Sequence, residues 1–181
     1  MISQCTQSLK NLETCLDKAE QHAAAKKFDV GVLMTSRLAP DMQHFIYQVQ
    51  SACDYVKAAA AWLSGQTPPK HEDNEQTINE LRARIRKTVA FAESVKEAQY
   101  AGASDRKVKL SWAPGKVIGG EDYLLQMTIP NTFFTSRWPT PSSATTASMS
   151  ARWIFLVLSI WSPLDPSRCA IQTGEMWGNV C

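Results

Sequence analysis

Apolar residues recur every three or four positions from Ile2 to Ile129, which is the spacing of one helix face. Three long stripes stand out, Ile2 to Ala23, Met42 to Leu63 and Ile78 to Val95, each with charged residues on the opposite face. Each stripe is about 20 residues long and predicts an amphipathic helix that buries its apolar face.

Local signals mark the ends of these helices. Pro40-Asp41 is predicted to open the second helix with Asp41 as N-cap, and Gly65 followed by Pro68-Pro69 to end it. Thr77 and Glu80 have the spacing of a capping box for the third helix. The connection FDVGVLMTSRLAP is too apolar for a free linker, and five of its residues are predicted to close one end of the core: Val30, Val32, Leu33, Met34 and Leu38.

The pattern changes between the third and fourth helices. Val108, Leu110 and Trp112 alternate with polar residues before the turn signal Pro114-Gly115, which predicts a short β-hairpin. Glu121 and Asp122 then open a fourth helix, which Pro130 should bend. Two further prolines, Pro139 and Pro141, should truncate this helix after Trp138 at the latest. The expected fold is mainly α, a four-helix bundle with a short β-hairpin before helix four and an irregular C-terminal tail.

Composition divides the chain of 181 residues into two regions. Residues 1–134 hold 31 of the 36 charged residues, and residues 135–181 hold four of the six tryptophans and no lysine. We therefore predict a helical bundle over 1–134 and a tail over 135–181 that is poorly ordered or partly packed on the bundle.

Charge and hydropathy limit the partners. A net charge of +2 without a basic groove disfavours nucleic acid. The start MISQCTQSLK lacks an apolar signal region, and the apolar run Trp153–Trp161 is about half of the ~20 residues that cross a bilayer. Five cysteines without a CxxC motif suit reduced thiols. We expect a soluble cytoplasmic protein with no membrane partner.

No motif specifies a reaction. The run RARIRK (Arg82 to Lys87) flanks Ile85 on an amphipathic helix and is interpreted as a solvated face in preference to an anion site. Cys53 beside Asp54 falls on an apolar stripe, which favours a core thiol over a nucleophile. Gly119-Gly120 lacks the lysine and hydroxyl of a phosphate-binding loop.

Five strings carry a resemblance to a known family: LDKAEQHAAAKKFD, LMTSRLAPDM, FIYQVQSACDYVKAAAAWLSG, PPKHEDNEQTINELRARIRKT and GEDYLLQMTIPN. From about Ser8 to Phe134 the chain resembles an uncharacterised bacterial and fungal family related to the DinB/YfiT-like four-helix bundles. Wider DinB-like relatives include thiol transferases and hydrolases that hold a divalent metal with three histidines in the bundle groove.

Past Phe134 the resemblance stops. Family members continue with a stretch like FFHVxxAYAILRHNGVxxGKxDFLG, whereas this chain reads TSRWPTPSSATTASMSARWIFL. One nucleotide restored after the Phe134 codon, with permitted codons to Leu156, yields His-Val-Ala-Met-Ala-Tyr-Ala-Ile and a family-like continuation. We interpret the tail as frameshifted or mis-spliced; the alternative is a tail with a selected role of its own.

The resemblance implies a metal site that this chain is not expected to complete. This chain holds three histidines, His22, His44 and His71, whose positions do not imply convergence; His44 is the candidate ligand among them. The resemblance therefore implies a divalent metal for the intact family, and we do not expect this chain to bind one. The function expected is that of an uncharacterised DinB-like bundle. Two alternatives stay open. One is an enzyme or accessory protein of small-molecule metabolism, such as fungal secondary metabolism, with a ligand in the bundle groove; the other is a non-catalytic module that forms a homodimer.

Overall fold

Four long helices make up most of the molecule. The computed structural model describes residues 1–37, 39–110 and 113–136, all within the first of two units of the chain, Met1–Ala144. The elements are α1 (Ile2–Lys26), a short α2 (Gly31–Thr35), α3 (Phe45–Leu63), α4 (Ile78–Ser94), a 3-10 turn (Glu97–Tyr100), β1 (Lys107–Lys109), β2 (Val117–Gly119), α5 (Gly120–Asp122), a π-helical segment (Tyr123–Thr128) and α6 (Ile129–Ser136). The last three are continuous and form the fourth long helix, so the predicted mainly α bundle with a hairpin before helix four is confirmed.

The core lies between the apolar faces of these helices. α3 packs against α4 and α6, and α1 packs against the same two helices and against α3. Leu9, Leu12 and Leu16 of α1 have almost no exposed surface and belong to one buried cluster with Val49 of α3 and with residues of α4. Burying each such leucine stabilises the fold by about 1.5–3 kcal/mol, which explains why the apolar stripes predict the helices.

The start of the second long helix differs from the prediction. Asp41 is not its N-cap: α3 begins at Phe45, and His44 caps it through Nδ1, which accepts a hydrogen bond from the backbone N–H of Tyr47 at 3.3 Å. Residues before His44 are held out of the helix because the N–H of Phe45 donates to the carbonyl of Ser36 at 3.0 Å. Arg37 adds a bond to the carbonyl of Met42 at 2.8 Å, which fixes the turn.

The apolar connection between α1 and α3 is only partly inside. Met34 is buried and Val30 packs against the core. Val32, which was expected in the core, is instead 60% exposed because it lies on the outer side of the short helix α2. Leu38 lies outside the described residues.

The capping box of the third long helix is confirmed. The Thr77 hydroxyl accepts from the N–H of Glu80 at 3.3 Å, and the Glu80 carboxylate accepts from the N–H of Thr77 at 2.9 Å. These bonds satisfy donors that a helix start otherwise leaves free.

The predicted hairpin forms with two short antiparallel strands. Lys107 pairs with Gly119 and Lys109 with Val117, and Gly115 turns the chain at φ 83°. At Gly120, where the hairpin enters the fourth helix, a Cβ atom would overlap the carbonyl oxygen of Ala103, so this position needs a residue without a side chain.

Pro130 does not end the fourth helix, which continues to Ser136. It has no N–H, and its ring clashes with the carbonyl four residues earlier in regular α-helix. The chain meets this constraint with the π-helical segment just before it, in which the Thr128 hydroxyl donates to the carbonyl of Tyr123 at 3.2 Å.

The predicted end of the helix near Trp138 and the whole tail lie outside the described residues. Among the helices that are described, none has the length and hydropathy of a membrane span.

Candidate functional site

One arginine is buried among carboxylates at the contact of α3 and α4. The Arg84 side chain is 2% exposed. Its Nη1 donates to the Glu75 carboxylate at 2.9 Å, and its Nη2 lies 3.0 Å from Asp54 and 2.8 Å from Asp73. We call Asp54, Lys57, Asp73, Glu75 and Arg84 the Arg84 cluster. A buried guanidinium needs such partners, because an unpaired buried charge costs several kcal/mol.

α3 supplies its two charged residues to this cluster. Lys57 donates to Asp54 at 2.7 Å, one helical turn away, and its side chain is 9% exposed. Gln50, one turn before Asp54, donates to the second oxygen of Glu75 at 2.8 Å. The spacing 50, 54, 57 places these three residues on one helix face, beside the apolar stripe.

The connection between α3 and α4 supplies the two remaining acids of the cluster, Asp73 and Glu75. Burial raises the pKa of Glu75, but the bonds from Arg84 and Gln50 outweigh it, and the net pKa lies below the ordinary value of 4.5. Glu75 is therefore ionised near neutral pH. Burial likewise lowers the pKa of Arg84, yet the carboxylates of Glu75, Asp54 and Asp73 hold it above its ordinary value. The cluster is thus a charged network in the folded state.

The interpretation of RARIRK as a solvated face is wrong for Arg84. Arg82 and Arg86 do lie toward α1, where they pair with Asp17, Glu20 and Glu13 at 2.6 Å. Arg84 is two residues from each and turns to the opposite side of α4, because each helical residue rotates by about 100°. It therefore meets α3 instead of solvent.

A surface pocket of about 460 Å³ opens beside the cluster, between the α3–α4 connection and the outer side of α4. We call it the His71 pocket. Its lining residues are Lys70, His71, Glu72, Asn74, Glu75, Glu80, Ala83, Arg84 and Lys87. This volume is within the range of small-molecule sites.

His71 stands out in this pocket. Both of its ring nitrogens are buried, and neither has a hydrogen-bond partner in the part of the chain that the structure describes. Burial lowers the pKa of His71 below 6.5, and the nearby charges of Lys57, Lys87 and Arg84 lower it further, while Asp54 opposes them. The imidazole is therefore neutral near pH 7, with one nitrogen free to donate and one free to accept.

The other two histidines lie elsewhere. His22, near the end of α1, makes an edge contact with the Phe28 ring at 5.8 Å between centroids. His44 uses Nδ1 to cap α3. Within residues 1–37, 39–110 and 113–136, no group of three or more His, Cys, Asp or Glu side chains is arranged to hold a metal. These residues do not fit the three-histidine centre that the resemblance implies.

Cys53 lies in the core, as expected for a core thiol. It is fully buried, and burial raises its pKa to about 12 against the opposing effects of Thr88 and Arg84. A thiol with this pKa stays protonated near pH 7, so it lacks the thiolate that nucleophilic catalysis requires.

Sequence reasoning missed Lys57, Glu75 and Arg84. One signal was available: Asp54 and Lys57 are the two charged residues in the 19 residues of α3, and they are three positions apart. A pair of this kind on an apolar helix indicates a buried charge that needs partners from another element.

Comparison with known proteins places the chain in a family. The model of the domain of unknown function DUF1993 matches residues 1–136. A crystal structure of a DinB family member protein from Shewanella denitrificans is similar at 39% sequence identity and a TM-score of 0.72, covering 84% of this chain and 82% of that one. The curated proteins gave no match.

Proposed function

The chain belongs to the DUF1993 family and has a DinB-like fold, and from this premise we propose that it binds a small polar molecule in the His71 pocket. The family assigns no specific activity. The proposal therefore rests on the site itself, which combines a cavity of ligand size with polar groups that no part of the described chain engages.

The unpaired nitrogens of His71 carry this proposal. A buried polar group without a partner costs about 1–3 kcal/mol relative to one that is hydrogen-bonded. The two ring nitrogens and the Nε of Arg84, all on residues that line the pocket, lack a partner within the described ranges. These atoms have almost no accessible surface of their own, so a ligand pairs with them once the His71 ring turns toward the pocket, and that pairing recovers this cost.

A binding role agrees better with the site than thiol chemistry does. Cys53 is buried and protonated, and Cys5, also buried, has a pKa that burial raises. An enzyme or accessory protein of small-molecule metabolism stays a prediction, as does the homodimer. We further infer a cytoplasmic location, which the free thiols of Cys5, Cys15 and Cys53 support because reduced cysteines persist there.

A steric variant tests the proposal. Ala83 lines the pocket, while Ala90 is an exposed alanine two turns further along the same helix. We expect Ala83→Phe to fill the pocket and Ala90→Phe to leave it open, so Ala90→Phe is the matched control.

The measurement is the melting temperature of the full chain with citrate, inorganic phosphate, glucose or choline at equal ionic strength. A ligand at 100 times its Kd stabilises the folded state by about 2.7 kcal/mol. We expect at least one probe to raise the melting temperature of the unsubstituted chain and of Ala90→Phe, but not of Ala83→Phe. No rise with any probe, or an equal rise in all three proteins, overturns the proposal.

A further inference from the structure

We propose that the ligand of the His71 pocket is an anion, a small molecule whose carboxylate or phosphate group is held by Lys70, His71 and Lys87. This inference rests on the proposed function and adds the charge of the ligand to it. It follows from which polar groups around the pocket are already engaged within the protein.

The pocket lining holds three basic and three acidic residues, so the count alone does not indicate the charge of the ligand. Most of these charges are engaged. Arg84 is neutralised by the carboxylates of its cluster, and both oxygens of Glu75 accept hydrogen bonds, one from Arg84 and one from Gln50. Glu80 accepts from the backbone N–H groups of Gln76 and Thr77 at the start of α4, and it keeps its negative charge because these donors are neutral.

The groups left over are mainly donors. Lys70 and Lys87 are exposed, and neither ammonium has a hydrogen bond or ion pair within the described residues. His71 has two unpaired nitrogens there, and Glu72 is the one lining carboxylate whose oxygens no described residue engages. Lys70 and Lys87 therefore offer two ammonium donors against the Glu72 carboxylate, and around His71 the charges of Lys57, Lys87 and Arg84 outweigh that of Asp54.

His71 connects this charge to pH. On its own loop Lys70 and Glu72 flank it; α3 faces it with Lys57 and Asp54, and α4 with Arg84 and Lys87. The net effect of burial and these cations is to lower its pKa. An anion in the pocket offsets the cations and favours the protonated imidazole. Binding of the anion should therefore be coupled to protonation of His71, and the affinity should rise as the pH falls.

The volume of the pocket bears on the size of the anion. A cavity of about 460 Å³ is larger than inorganic phosphate needs and falls within the range of small organic ligands. A di- or tricarboxylate or a phosphorylated small metabolite therefore fits better than a bare ion, and citrate and inorganic phosphate serve as the two probes.

Calorimetric titration of the full chain tests the sign of the ligand charge. We expect citrate or inorganic phosphate to bind and choline and glucose not to bind at equal ionic strength. Citrate binding alone identifies a carboxylate ligand, and phosphate binding alone a phosphate ligand. Binding of choline or glucose without either anion overturns this inference and leaves the proposed function in place, whereas no binding of any probe removes both.

Charge variants locate the anion. Lys87→Gln and Lys70→Gln should each weaken binding of the anion about threefold to fivefold, which is the effect expected from the loss of a partly exposed ion pair. Lys18→Gln on α1, an exposed lysine that does not line the pocket, removes the same charge and is the control. Equal weakening in all three variants shows a general effect of net charge and overturns the assignment to this pocket.

The pH dependence supplies an independent readout. Binding of the anion should tighten from about pH 8 to about pH 6 in the unsubstituted chain, and His71→Gln should lose most of this dependence while it keeps a side chain that donates. Binding that keeps the same pH dependence in His71→Gln excludes His71 from the site and overturns its part in the inference.

Discussion

Arg84 and Arg86 are two residues apart on α4, and they lie in opposite surroundings. Arg84 is 2% exposed and within 3.0 Å of three carboxylates, whereas Arg86 is 69% exposed and pairs, among the described residues, with Glu13 alone. The bond from Arg86 is the shorter one, at 2.6 Å. A comparison of the two residues therefore separates the effect of burial on stability from the effect of contact distance.

The difference comes from what faces each side of the helix. Arg86 reaches toward α1 across a solvent-exposed seam, where water competes for both charges. Arg84 reaches toward α3 and the α3–α4 connection, where three acids replace the water that burial removes. Because Arg84 is buried, the stability of the fold depends on its carboxylate partners, although their bonds are no shorter than the bond between Arg86 and Glu13.

The largest expected effect separates the two arginines directly. Arg84→Met keeps the volume of the side chain but leaves Glu75, whose side chain is 10% exposed, without its cation. We expect the free energy of unfolding to fall by about 3 kcal/mol, since removing one partner of a buried pair leaves an uncompensated charge. Urea denaturation of the full chain measures this loss.

Arg86→Met is the matched control, because it makes the same replacement on the same helix. We expect a change within about 0.5 kcal/mol, as for other exposed ion pairs. Similar losses in the two variants would show that burial does not distinguish these sites, and the comparison would fail.

The helices were predictable from the sequence because burial repeats with the helical period. Thr77 and Glu80 were predictable as well, since a capping box is made within four residues. The N-cap at His44 was not, because hydrogen bonds from Phe45 to Ser36 and from Arg37 to Met42 set the start of α3, and these depend on the path of the preceding chain.

The candidate site was less predictable than the fold. The run around Arg84 shows charges at regular spacing but not which of them will meet another element. Its partners come from two separate places, Asp54 on α3 and Asp73 with Glu75 on the connection. Only the packed helices bring them together, and the pocket beside His71 exists only once they do.

Glu75→Gln should have a smaller effect than Arg84→Met. The amide can still accept from Arg84, and Gln50 can rotate to pair with it, so mainly the charge is lost. We expect a loss of about 1–2 kcal/mol in the free energy of unfolding near neutral pH, since hydrogen bonds to charged groups are the stronger ones. Urea denaturation across a pH series measures it.

The pH series has a definite sign. The pKa of Glu75 is lowered below 4.5 in the folded state, so the folded protein holds fewer protons on this group than the unfolded chain. Its contribution to stability is complete above pH 4.5 and is lost as the pH falls through the folded pKa. The difference in the free energy of unfolding between the unsubstituted chain and Glu75→Gln should therefore become smaller at acidic pH. A difference that does not change with pH would contradict the charged network.

Arg82 lies between the two extremes and should show the smallest measurable effect. Its side chain is 14% exposed, and its Nη2 pairs with Asp17 and Glu20 at 2.6 Å, but both carboxylates are largely open to solvent. We expect Arg82→Met to lower the free energy of unfolding by about 0.5–1 kcal/mol at low salt. Because the Debye length falls from about 10 Å at 0.1 M to about 3 Å at 1 M salt, most of this loss should disappear in 1 M sodium chloride. The loss in Arg84→Met should persist there, since its carboxylate partner Glu75 is shielded from the salt by the protein. If salt removes both losses to the same degree, the cluster around Arg84 behaves as a surface network, and its burial has no energetic consequence.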